Sequence, residues 1–319
     1  MRFPRLIAFA ALSLPIAWSA SAVTMAWTPI GNPGNACDPQ PASVFLPGGC
    51  FGAVGYSYDI GTYEVTTAQY TEFLNAKAAS DPYALYATFS TSIVRSGNAG
   101  HYTYSVAPGR ENLPVDSVDF FSAARFANWL NNGQGNNDIQ TGSYTLLGNF
   151  DTPSNQATLT RNLGATIFVA SENEWYKAAY YDPGNASYFA YPTDSNTAPT
   201  CTTPTAVPNS ANCPGSGVLG RTNVGAYSGS ASPYGTFDQG GNLEEWTDTK
   251  CAAPCYFTRG GSFAYVGDLA ASYRDTAAST AASEYLGFRL VMIPGGYVPE
   301  PSTGLLGLIG LGIRRRVSL

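Results

Sequence analysis

Ser232-Pro-Tyr-Gly-Thr-Phe-Asp-Gln-Gly-Gly-Asn-Leu-Glu-Glu-Trp-Thr247 is the stretch that decides how this chain folds. Gly240, Gly241 and Asn242 let the backbone turn back on itself with its carbonyls pointing inward. Asp238 and Glu245 bring hard carboxylate oxygens to the two sides of that turn, which suits calcium or another hard cation. Trp246 is a residue type that anchors such a loop in a core. The expectation is a rigid, loop-built site on a loop-rich fold.

Working outward, Arg259-Gly-Gly-Ser262 and Leu286-Gly-Phe-Arg289 follow the stretch. Upstream, Tyr58-Asp-Ile-Gly-Thr-Tyr-Glu-Val65 carries Ile60, Tyr63 and Val65 as candidate core positions of a strand, after which Thr66 or Thr67 caps a helix bearing Tyr70, Phe73, Leu74 and Lys77 on one face. Pro114-Val-Asp-Ser-Val118 precedes a second helix over 121–130, with Phe126, Trp129 and Leu130 on one side. Phe168-Val-Ala170 reads as a buried strand. Ser171-Glu-Asn-Glu174 is then a capping box: the serine hydroxyl takes an orphan amide and Glu174 answers the serine's own N–H. Trp175, Ala178 and Ala179 face the core behind it. High glycine content (34 of 319 residues) and scarce long helix-forming runs point to an α+β fold with short strands.

These six separated motifs, in this order, resemble the formylglycine-generating enzyme (sulfatase-modifying factor) family, whose domain is a variant of the C-type lectin fold. The resemblance covers roughly Pro47 to Pro294 and departs from the family's motifs at three places: Phe168-Val-Ala170 stands for Leu-Pro-Thr, Glu244 for the usual tryptophan, and Asp238 for what is often an asparagine, which it replaces as a competent oxygen ligand. It implies a calcium ion held by the side chains of Asp238 and Glu245 and the carbonyls of Gly241 and Leu243. It also implies a second calcium site in which Asn212 is the matching first ligand, although the downstream aspartate is absent between Gly215 and Tyr227. Asn223 and Asp194 lack the spacing to replace it.

The family's chemistry requires two cysteines between the second motif and the third, where a soft thiolate pair holds cuprous ion. Gly261 to Gly287 contains no cysteine and offers only Ser272 and Tyr273. No copper and no formylglycine-generating activity are expected. The six cysteines lie elsewhere, and pairing of neighbours (Cys37 with Cys50, Cys201 with Cys213, Cys251 with Cys255) is one of fifteen possibilities. A redox role for Cys251 and Cys255 is the weaker reading, because Ala252-Ala-Pro254 supplies no cation to lower a thiol pKa.

The two ends predict export. Arg2 and Arg5 precede the apolar run Leu6 to Trp18, and Ala20-Ser-Ala22 places small residues where a leader is cut, so 1–22 reads as a signal peptide. Val298-Pro-Glu-Pro-Ser302, an apolar segment and Arg314-Arg-Arg316 make 298–319 similar to a PEP-CTERM sorting tail, which implies a sorting protease and transient membrane association. Its apolar run, 304–313, rises only about 15 Å as a helix against a hydrocarbon core of about 30 Å. Between the ends, 23–297 reads as one formylglycine-generating-enzyme-like domain. Without the five terminal arginines and Glu300 the chain holds 21 acidic and 11 basic residues, a net charge of −10 that argues against nucleic acid.

Other chemistries lack parts. His101 is the single histidine, which leaves zinc without its usual ligands; a serine hydrolase would have to use it without visible Ser or Asp partners, and no Gly-x-Ser-x-Gly elbow occurs. Asp268 and Asp275 are the one carboxylate pair suggestive of a glycosidase, and loop roles around Arg274 account for them as well. Two functions remain. The first is a noncatalytic module of the cell envelope or extracellular matrix that binds a glycan or a protein, or is structural; the second is a divergent metal-dependent oxidoreductase or hydrolase of the same superfamily.

Overall fold

Two four-stranded sheets carry the fold, and their connectivity explains why distant motifs meet. The computed structural model describes residues 22–42, 46–252, 254–264 and 269–299. Nearly all of the expected leader and of the expected sorting tail, and Asp268, lie outside these residues. The strands are β1 (Trp27–Ile30), β2 (Tyr58–Gly61), β3 (Ile167–Val169), β4 (Glu244–Lys250), β5 (Cys255–Arg259), β6 (Asp275–Ala278), β7 (Leu286–Phe288) and β8 (Leu290–Met292). The first sheet runs β1-β2-β8-β3, antiparallel throughout. The second runs β6-β5-β4-β7, antiparallel except for the parallel pair β4 and β7. Since β7 and β8 are separated only by Arg289, that residue sits where the two sheets join. Short two-stranded ribbons and long loops make up much of the remainder.

Three helices pack on this frame: α1 (Thr67–Lys77), α2 (Phe120–Asn131) and α3 (Glu172–Tyr180). Thr66 caps α1, with its hydroxyl accepting from the Gln69 amide and Gln69 returning a bond to the Thr66 amide. Asp119 caps α2 through the Ser122 amide at 2.7 Å, which starts that helix one residue earlier than the apolar pattern suggests. Residues 120–130 of α2 are all buried, so small Ser122, Ala123, Ala124 and Ala127 alternate with large rings to let neighbours approach from every side. Tyr70 and Phe73 of α1 meet Phe126 of α2, with ring centroids 5.4–5.9 Å apart, and Phe288 of β7 closes this cluster.

The strand expected over 58–65 is half that length. It ends at Gly61, after which Val65 leaves the first sheet and exchanges backbone bonds with Phe288 (3.0 Å) and Val115 (2.8 Å). The motifs containing Val65, Val115 and Phe288 are thus tied together at one point. The Lys77 ammonium, at the end of α1, donates to the carbonyls of Asn136 and Asn137. The stretch 76–111, which carries no recognisable motif, forms the hairpin Ile93–Ser96/Thr103–Val106 against α1.

Candidate functional site

Asp238 (φ 62°), Gly241 (φ 88°) and Asn242 (φ 57°) all adopt left-handed backbone, so the chain reverses tightly between Phe237 and Glu244. A β-carbon at Gly241 would collide with the Asn212 carbonyl, which fixes glycine there. Asn242 is buried, and its amide reaches Glu64 at 3.1 Å while its oxygen accepts from the Thr222 amide at 2.9 Å. Asn242 therefore ties the loop to the Glu64 side chain and to the backbone at Asn212 and Thr222.

β4 leaves this loop beside β7, placing Glu245 opposite Gly287 and Arg289 within reach of the Glu245 carboxylate. Arg289 grips it from both sides, Nε to Oε2 at 2.7 Å and Nη2 to Oε1 at 2.6 Å. The same guanidinium donates to the carbonyls of Gly61 (3.0 Å) and Phe237 (2.9 Å), and Trp175 Nε1 adds a bond to Glu245 Oε2 at 2.8 Å. Glu245 and Arg289 are both wholly buried. The motif residue Arg289 thus positions the loop, the end of β2 and the first turns of α3 together.

Two further carboxyls share this environment. Asp238 Oδ2 accepts from the Gly225 amide at 2.5 Å, and burial pushes its pKa up to about 6. Burial first, and then the charges of Asp238 and Glu245, hold the Glu64 carboxyl well above the usual carboxylate range. Glu64 Oε2 is buried, and among the described residues it has no hydrogen-bond partner. Three carboxyls face one guanidinium, so the loop is short of positive charge.

Donor capacity decides whether these residues fit calcium. Each carboxylate oxygen has room for about two partners. Glu245 Oε2 is filled by Arg289 and Trp175, whereas Oε1 holds only Arg289. Among the described residues the one donor to Asp238 is on Oδ2, and Glu64 Oε2 has none. Among the described residues no three carboxylate, histidine or cysteine side chains converge on one point. The expected ligand set needs only two carboxylates, its other donors being the carbonyls of Gly241 and Leu243. The residues fit a hard cation in charge and in donor type.

The remaining motif residues mostly have structural partners. Arg259, fully buried, donates Nε to Glu172 Oε1 at 2.9 Å, and Arg274 takes Glu172 Oε2 at 2.6 Å, so the first residue of α3 is clamped to the second sheet. Gly260 (φ 98°) lies so close to the Gln239 carbonyl and Trp175 that a β-carbon would approach them to 2.8 and 3.1 Å. The side chain of Asn212 is committed to Gly220 O (2.9 Å), Asn242 and Ser216, and among the described residues no carboxylate bonds it. Asp275 is exposed on β6, and His101 is exposed ahead of the hairpin strand. All six cysteines are disulfide-bonded in neighbouring pairs, Cys37–Cys50, Cys201–Cys213 and Cys251–Cys255, with Cα separations of 5.3, 5.1 and 5.6 Å.

Residues 34–293 match the sulfatase-modifying factor enzyme 1-like domain. The chain belongs to this family. Solved structures agree in fold: the Treponema denticola variable protein 1 superposes with a TM-score of 0.57 at 18% identity, covering 87% of this chain and 98% of that one. CarF gives 0.55 at 19% identity, covering 84% and 98%. No curated protein matches the sequence. The architecture is accordingly the α+β, loop-rich, C-type-lectin-like fold of this family.

Sequence reasoning missed Glu64 and the ion-pair partners of the buried arginines. Glu64 reads as a solvent-facing residue of an alternating strand, between Tyr63 and Val65. The one available signal was the Glu-Val-Thr junction, where an acid precedes a buried valine and a capping threonine.

Proposed function

We propose that this chain is an exported, noncatalytic binding or structural module built on the sulfatase-modifying-factor scaffold. The observation that carries the reading is the fate of the thiols. Gly261 to Gly287 has no cysteine, and every cysteine of the chain is oxidised into a disulfide elsewhere. Holding cuprous ion calls for soft ligands, and Ser272 and Tyr273 are hard oxygen donors. In place of a reactive centre the chain carries a loop fixed by Arg289, Trp175 and Asn242. A calcium ion on Asp238, Glu245 and the carbonyls of Gly241 and Leu243 would supply the missing positive charge and lock that loop, with Glu64 beside it. Export is supported by the leader-like start and the sorting-tail-like end of the sequence, and by three disulfides, which persist in oxidising compartments.

The test is incubation of the purified protein with copper, oxygen and a cysteine-containing peptide, followed by mass spectrometry of the peptide. Unchanged peptide is expected. Stoichiometric copper binding together with conversion of the cysteine to formylglycine refutes the noncatalytic reading.

A further inference from the structure

Ala22 is exposed, and the residue after it is already held. Val23 is 9% exposed and packs in the core ahead of β1. Its N–H donates to Gln134 Oε1 at 2.7 Å and its carbonyl accepts from Gln134 Nε2 at 2.8 Å, so one side-chain amide takes both backbone groups of one residue. Gln134 is itself fixed. It stands just past the end of α2 in left-handed backbone (φ 66°), and its own N–H bonds the Trp129 carbonyl at 2.8 Å. At the next residue, the Thr24 carbonyl accepts from Gln69 Nε2 at 2.9 Å, while Gln69 Oε1 serves the capping box of α1. The first residues of a domain fray unless something ties them down. Here two glutamines do so, one in α1 and one beyond α2, and their hold starts at Val23.

That starting point coincides with a cleavage motif. Ala20-Ser-Ala22 puts the expected cut between Ala22 and Val23. Hydrolysis of this bond consumes one water and leaves a carboxylate on Ala22 and an amine on Val23, which is mostly protonated at neutral pH. The donor to Gln134 Oε1 then carries a full charge, and a charge-assisted hydrogen bond is about twice as strong as a neutral one. The acceptor sits on the loop that closes the negative, C-terminal end of α2, a setting that favours a cation. The same loop already takes one, the Lys77 ammonium on the carbonyls of Asn136 and Asn137. Because Ala22 is exposed, water can serve the other two hydrogens of the new ammonium. We propose that Gln134 is a socket for the α-ammonium that leader removal creates at Val23, so that processing strengthens the fold it releases. A chain that keeps residues ahead of Val23 has only a neutral amide to offer at the same point. The inference rests on the export reading, since it needs the cut at Ala22.

The experiment first reads the start of the exported protein by intact mass and N-terminal sequencing, and Val23 is expected. Its melting temperature is then compared with that of an otherwise identical protein that carries Ser21-Ala22 ahead of Val23, released from an exported fusion by a specific protease. The extended form should melt about 2–4 °C lower, the effect of exchanging a charged donor for a neutral one. Gln134→Met removes the acceptor at nearly constant side-chain length, and in that background the two forms should melt together. Selective acetylation of the Val23 amine neutralises the charge with no substitution at all, and should reproduce the fall even if Gln134→Met does not fold. Equal melting of the extended, acetylated and processed forms overturns the socket, as does a difference that survives Gln134→Met; both outcomes spare the export reading. A mature protein that begins at a residue other than Val23 also overturns the socket alone. Retention of residues 1–22 in the exported protein sinks the export reading and the socket with it.

Discussion

Replacing Arg289 by methionine keeps most of the side-chain volume and removes the guanidinium at the junction of the two sheets. Glu245 then loses two bonds of 2.6 and 2.7 Å and remains buried with only Trp175 as a donor, and the carbonyls of Gly61 and Phe237 lose their partner. Removing one member of a buried ion pair costs about 3–5 kcal/mol, chiefly because the other charge is stranded. For a domain of this size that corresponds to a fall in Tm of about 6–20 °C. Adding Glu245→Gln removes the stranded charge while keeping an acceptor for Trp175, so the double variant should be more stable than Arg289→Met alone. Urea denaturation of the four proteins of the cycle gives the coupling directly, and a value above about 1.5 kcal/mol is expected. If Arg289→Met is too unstable to purify, recovery of folded protein by the second substitution reports the same coupling. A cost below about 1 kcal/mol for Arg289→Met, or additivity within about 0.5 kcal/mol, would refute the idea that this pair organises the loop.

Calcium, bound only by the folded state, should raise Tm. At a free concentration a hundredfold above Kd the gain is about 2.7 kcal/mol, and scans with calcium and with chelator should coincide in Asp238→Ala; coincidence in the native protein removes the site. Alkaline pH should unfold the chain cooperatively. Burial pushes the hydroxyls of Tyr104, Tyr227 and Tyr234 up to about 12, and those of Tyr58, Tyr70 and Tyr144 well above the usual value. Such groups contribute stability that is whole below pH 10 and is lost as the pH rises through 10 toward 12, because only the unfolded chain then releases the protons. Ultraviolet titration of tyrosinate should therefore track loss of circular dichroism, and free titration of those rings near pH 10 in a still-folded protein contradicts it. Deletion of 298–319 should release a soluble, folded domain, whereas the full chain fractionates with membrane or a processed surface layer; identical soluble export of both, with the tail intact, removes the sorting interpretation.

What the sequence disclosed and what it hid divide according to the range of the interaction. The Ser171 capping box is legible because both of its bonds close within three residues, and the structure contains them, with the Glu174 carboxylate at 2.7 Å from the Ser171 amide. That reading nonetheless accounted for only part of Glu174. A carboxylate has about four acceptor sites, and the others here go to Arg161, 13 residues away, and to Tyr56, 118 residues away. Asp238 and Glu245 were legible as acids around a glycine turn, but their electrostatic setting was not, since Arg289 is 44 residues from Glu245 and Glu64 is 178 from Asn242. Spacing cannot report such pairs, because it carries information only within an element's own period of two or 3.6 residues. Motif order succeeded where spacing failed: Arg259, Arg289 and Trp175 each sit in a recognisable short string, and each is an element of the buried polar frame around the loop. The strings therefore mark places where long-range partners must be supplied, without naming the partners. Gln134 belongs to no such string, and its hold on Val23, 111 residues away, became visible only when the chain ahead of β1 and the end of α2 were brought together.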